Sequence, residues 1–154
     1  MSEVKITENI SDIINKLRKE ANIEKIEKSV VNKGLSLIKK QTKTNLRASF
    51  PAAFRRSPLY IDTMSEGVRS SLDVHAYGVL GKVHVMGKKS AGSGTFRLRF
   101  FEGGTKDRYR KNGAFSGHID PMHFFSDAVS QTEGQVDTEM EKEFEKQIDK
   151  IIKN

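Results

Sequence analysis

The sequence predicts an α+β domain. Apolar residues recur at helical spacing near both ends, a central block alternates every second residue, and a long basic, glycine-containing stretch separates that block from the last helix. The predicted order is N-terminal helices, a small antiparallel meander, a long basic loop and a C-terminal amphipathic helix. The 154 residues read as one domain, 1–154, with no internal repeat and no dividing linker.

Residues 7–20 have helical character. Thr7 can cap them, and Ile10, Ile13, Ile14 and Leu17 fall on one face. Asn22 can open a second helix with the apolar line Ile23, Ile26, Val30, Leu37 and Ile38. Gly34 breaks that line. A glycine inside a helix costs about 1 kcal/mol against alanine, so it marks a close helix contact or a kink. Beyond Gln41 the pattern turns polar and basic, and Pro51 ends any helix. From Phe50 to Ser65 the chain reads as an exposed loop with Pro51, Pro58 and Arg55-Arg56; Leu59 and Ile61 are candidates to return to the core.

The β region begins near Val68. Leu72, Val74 and Ala76 alternate, and Gly78 and Gly81 are expected to bracket a turn. Val83 and Val85 alternate with Lys82, His84 and Met86, as in a half-buried strand. Gly87 to Gly94 reads as a turn or flap. Phe96, Leu98 and Phe100 alternate with Arg97, Arg99 and Phe101, the clearest strand pattern in the chain. The expected sheet has three or four strands.

Residues 102–119 form the long loop. It holds Lys106, Arg108, Arg110 and Lys111, with Tyr109 and Phe115 among them, and is expected to be mobile until it meets a partner. Asp120 is a fitting cap for the last helix and Pro121 suits its first position. Phe124, Phe125, Ala128 and Val129 share a face. After a break expected at Thr132 and Gly134, Val136, Met140, Phe144, Ile148 and Ile151 continue an apolar stripe.

Charge and composition narrow the function classes. Net charge is +7, unevenly spread. Residues 1–50 hold 11 basic and 6 acidic side chains, residues 51–118 hold 12 and 5, and residues 119–154 hold 4 and 9. A basic body with an acidic end can attract copies of itself or other charged partners. There is no cysteine, which excludes disulfides and thiolate zinc sites. No stretch approaches a membrane span, and Met1-Ser2-Glu3 does not open a secretory signal.

Catalytic signatures are absent. There is no nucleophile elbow, and Ser90-Ala91-Gly92-Ser93-Gly94 lacks the ending of a phosphate-binding loop. His118, Asp120 and His123 lie close in sequence without metal-ligand spacing, so no metal and no cofactor are expected. Glu102 is the carboxylate best placed for tuning, but it is expected to accept hydrogen bonds from the glycines that follow and to shape the turn. Lys106, Arg108, Tyr109, Arg110 and Lys111 are candidates for contacting a partner. Arg97 and Arg99 are candidates for facing DNA from one side of a strand.

One pattern resembles a known family. Phe100-Phe101-Glu102-Gly103-Gly104-Thr105-Lys106, then a basic loop, then Pro121 and Phe124-Phe125-Ser126-Asp127-Ala128, looks like the tail-completion, or head–tail joining, proteins of tailed bacteriophages and prophages. In that family an aromatic strand ends in Glu-x-Gly-Thr, and after a variable loop a helix opens with Pro-Phe-aliphatic-x-x-Ala. Phe124 and Ala128 keep the family spacing. Pro121 stands two residues early, and Phe125 replaces an aliphatic residue. The resemblance implies a non-enzymatic virion protein made in the host cytoplasm. It implies a ring, usually hexameric, in the neck between connector and tail proteins, with DNA passing through the opening unread. The alternative from the residues alone is a stand-alone, non-specific nucleic-acid-binding module that uses the basic loop. A small enzyme would need Glu102 in a deep pocket beside His118 or His123.

Overall fold

The computed structural model describes residues 23–50, 64–85 and 97–153. The expected helix 7–20, the prolines and arginines of 51–63 with Leu59 and Ile61, and the turn at 87–94 with Phe96 lie outside the described residues. The fold class is α+β: the described residues include two long helices, a short helix and two small antiparallel hairpins.

Helix α1 spans Ile23–Ser49. It stops just short of Pro51, and although the sequence turns polar beyond Gln41 its buried face continues through Thr42, Leu46 and Phe50, spaced by four. Thr42 is buried with its hydroxyl satisfied, donating to the Ile38 carbonyl at 2.7 Å.

Strands β1 (Arg69–His75) and β2 (Gly78–His84) form an antiparallel hairpin that turns at Ala76-Tyr77. Gly81 therefore lies inside β2, opposite Leu72, and does not bracket the turn as expected. A β-carbon on Gly81 would stand 2.5 Å from Val31 Cγ1, so the missing side chain lets the hairpin lie directly on α1. The opposite face of the hairpin is mainly polar, with Leu80 opposite Asp73. Ser71 hydrogen-bonds His84 at 2.7 Å, and Asp73 pairs with Lys82.

The clearest strand in the sequence is a helix. Leu98–Gly103 forms α2. In Phe-Arg-Leu-Arg-Phe-Phe a period of two and a spacing of three are both present, and a short apolar run does not discriminate between them. The helix wins by burying Leu98 completely and setting Phe101 edge-on to Phe50, with ring centroids 5.1 Å apart. Arg97 and Arg99 consequently do not share a sheet face. Both are exposed, and the Arg99 guanidinium lies over the Phe100 ring at 4.6 Å. Among the described residues the strands pair as two separate two-stranded sheets and not as one meander of three or four strands.

The stretch expected to be a structureless loop contains the second hairpin, β3 (Arg108–Tyr109) with β4 (Phe115–Gly117). The last helix, α3, spans Phe124–Lys153. It runs unbroken through Thr132 and Gly134. Thr132 is buried and donates to Ala128 O at 2.7 Å, so it behaves as an interior residue and not as a break.

Helices α1 and α3 pack antiparallel along their lengths. Asn45 reaches the Phe124 carbonyl at one end, and Ser29 donates to Glu143 at 2.8 Å near the other. Gly34 marks a close helix contact: a β-carbon there would stand 2.8 Å from Met140 Sδ and 3.1 Å from Val136 Cγ1. The core gathers at one end of this pair, where Leu46, Phe50, Met64, Val68, Leu98 and Phe124 meet.

Candidate interaction surface

Two chain segments that the sequence separates by a basic stretch meet in a hydrogen-bonded clasp. Helix α2 ends at Gly103, and Gly104 adopts φ +70°. A β-carbon on Gly104 would stand 2.9 Å from the Ile119 carbonyl oxygen and 3.0 Å from Pro121. Thr105 then locks the crossing: its N–H donates to Ile119 O, and its hydroxyl accepts from Ile119 N–H, both at 2.9 Å. Met122 N–H donates to Phe101 O at 2.7 Å and His123 N–H to Glu102 O at 3.3 Å.

Glu102 completes the clasp. One carboxylate oxygen accepts from Phe125 N–H at 2.8 Å and the other from Ser126 N–H at 3.0 Å. These are the second and third N–H groups of α3, the ones an N-cap side chain normally satisfies. The residue at the cap position is His123, at φ +49°, which supplies no such acceptor. A carboxylate from another helix does its work, and its charge suits the positive end of the α3 dipole. Two expectations are corrected here. Glu102 does not bind the Gly-Gly-Thr backbone, and Asp120 and Pro121 precede the helix without capping or opening it. Phe124 and Ala128 follow directly and are buried. Of the residues singled out in the sequence, Glu102, Gly103, Gly104, Thr105, Pro121, Phe124 and Phe125 are thus brought together.

The second hairpin projects from this clasp. Its turn is closed by Arg110 N–H to Ala114 O at 2.8 Å and Gly113 N–H to Arg110 O at 2.9 Å. Tyr109 and Phe115 pack edge to face with centroids 5.6 Å apart, yet remain 64% and 57% exposed. His118 secures the base, with Nδ1 at 3.2 Å from Asp107 and Nε2 at 3.1 Å from Asp120. Neutral imidazole can donate to only one of these carboxylates; the protonated ring donates to both. Among the described residues no group of three or more histidines and acids is placed to hold a metal.

Lys106, Arg108, Arg110 and Lys111 are all exposed, and none forms an ion pair with a described residue. The five partner residues picked out in the sequence therefore do lie together, on a built hairpin and not on an unstructured loop.

A second charged feature escaped the sequence reading. Glu133, Asp137, Glu141, Glu145 and Asp149 follow one another at a strict spacing of four on α3, and all are exposed. Each is a neighbour of the next, and because a step of four overshoots a full turn by about 40°, the column they form winds about 160° round the exposed side of the helix from Glu133 to Asp149. Among the described residues only Asp149 of this column is ion-paired, with Lys153 at 3.4 Å. Each like-charge neighbour pair costs an isolated helix about 0.2–0.5 kcal/mol. The signal was present in the sequence, but a search for apolar periodicity passes over it. The neighbouring carboxylates Glu139 and Glu143 differ in being turned toward α1, where they meet Lys33 and Ser29.

No family model, curated protein or solved structure matches this chain. No helix among the described residues is long and apolar enough to cross a membrane. The reading of function therefore rests on the clasp, the hairpin and the acidic column.

Proposed function

We propose that this chain is a structural component of the neck of a tailed bacteriophage or prophage particle. It forms a closed homo-oligomeric ring, hexameric by the resemblance, between the head connector and the tail, and DNA passes through the opening without sequence readout. The reading assigns it no catalysis and no cofactor.

One observation carries this reading. The two halves of the motif that resembles the tail-completion family, Glu102–Thr105 and Pro121–Phe125, are hydrogen-bonded into one unit. The intervening segment is an exposed basic hairpin on that rigid base. Such a base suits a segment whose tip meets a partner, because the contact is aimed while its residues remain free to vary. The Glu102 carboxylate is occupied by two backbone donors, which favours a structural role over acid–base chemistry.

The exposed Tyr109 and Phe115 among cations favour a second reading, a stand-alone nucleic-acid-binding module that stacks bases. A joining assay separates the two. Purified chain added to heads and tails made without it is expected to yield joined particles. Failure to join, together with tight binding of single-stranded DNA by the monomer, would favour the second reading.

A further inference from the structure

We infer that the basic hairpin of one copy docks on the acidic column of α3 in a second copy. This deepens the neck reading and rests on it for closure into a ring.

The same subunit carries both surfaces, and among the described residues each keeps charges outside any ion pair. The hairpin presents four cations with no ion pair among the described residues. The column presents four carboxylates in the same condition, above a fifth held by Lys153. The two sets do not pair within the subunit. Repeated like charge at a spacing of four opposes the helix that carries it, and a cationic partner removes that opposition.

Both surfaces also expose apolar area beside the charge. Phe144 is 52% exposed and follows Glu141 by three residues; Val129 is 40% exposed and precedes Glu133 by four. The hairpin offers Tyr109 between Arg108 and Arg110. Glu133, Asp137 and Glu141 lie within about 80° of one another round the helix and span about 12 Å at 1.5 Å per residue, enough to meet the tip of a short hairpin. A hairpin on a helix joins two different patches, so the contact is heterologous and propagates around a ring. Nucleic acid is the competing occupant of the hairpin, but it leaves the column unexplained.

Charge exchange on the full-length chain tests this. One variant carries Lys106→Glu, Arg108→Glu, Arg110→Glu and Lys111→Glu. The other carries Glu133→Lys, Asp137→Lys, Glu141→Lys and Glu145→Lys. Self-association is followed by sedimentation velocity and native mass spectrometry at low salt, with far-ultraviolet circular dichroism to verify that both variants fold. Wild type is expected to associate, and high salt to weaken it. Each variant alone is expected to associate roughly a hundredfold or more weakly, because like charges then face each other. Mixed together, the two are expected to regain association as alternating assemblies, an outcome that loss of folding cannot mimic. Association that survives in both single variants would place the contact elsewhere and overturn the inference while leaving the neck reading intact. A wild type that remains monomeric at high concentration overturns it, as does a mixture that stays dissociated. If the hairpin variant loses only DNA binding, the hairpin serves nucleic acid and the inference is again overturned. The joining assay decides the neck reading separately.

Discussion

Glu102 and Phe125, 23 residues apart, are joined by a 2.8 Å hydrogen bond from the Phe125 N–H to the Glu102 carboxylate. Together with the bond from Ser126, it makes the end of α2 the cap of α3. Glu102→Ala is expected to destabilise the protein by about 0.5–2 kcal/mol, the usual cost of losing an N-cap acceptor. Urea unfolding measures this. Glu145→Ala, on the exposed column, is the control and is expected to change stability by about 0.5 kcal/mol or less.

Gly104 is the tightest point of the clasp. Its φ of +70° and the 2.9 Å approach of Ile119 O to a built β-carbon both oppose any side chain. Gly104→Val is expected to cost at least about 1–3 kcal/mol, from strain and overpacking together. A melting temperature equal to wild type would show that the crossing can open without penalty.

Much of this was legible in the sequence, and the failures have physical causes. Gly34 was readable as either a close helix contact or a kink, and the approach of Met140 and Val136 decides for the contact. The long helices were readable from their 3.6-residue period. Leu98 was misassigned because six residues are too few to separate helix from strand when large apolar groups stand at both spacings. The role of Glu102 was out of reach, since its partners are backbone N–H groups of a distant helix, and a backbone donor leaves no mark on composition. Asp120 looked like the cap because it is the right residue type one turn early; His118 holds it instead.

The two helix-interior glycines Gly34 and Gly134 give a matched pair. A β-carbon on Gly134 meets nothing within 4 Å. Gly134→Ala is therefore expected to stabilise by up to about 1 kcal/mol, the propensity difference. Gly34→Ala meets Met140 and Val136 and is expected to lose that gain. Gly34→Val should destabilise by about 1–3 kcal/mol, with partial recovery when combined with Met140→Ala. A double-mutant cycle reads the coupling.

Acid should loosen the helix pair at Glu143. Hydrogen bonds from Gln147 and then from Ser29 hold this carboxyl below its ordinary value of 4.5. A carboxyl whose folded value is lowered contributes stability that is present above its unfolded value and lost as pH falls through the folded value. The acid limb of stability below about pH 4.5 should therefore be shallower in Glu143→Gln than in wild type. Thermal melts between neutral pH and pH 3 would detect it; parallel limbs would remove Glu143 from the account.

Replacing Lys106, Arg108, Arg110 and Lys111 with Ser should barely alter the melt, because exposed charges contribute about 0–1 kcal/mol each at most. The same variant should join heads to tails poorly, because interfacial charge governs encounter and register. Normal joining by this variant would remove the hairpin from the partner contact.

The central claim is the place of the chain in a particle. Gold labelling of the chain in purified, joined particles, viewed by electron microscopy, tests it most directly. The expected result is label confined to the junction of head and tail, in a constant number per particle. Label spread over the capsid or along the tail tube, or particles that lack the chain, would contradict it.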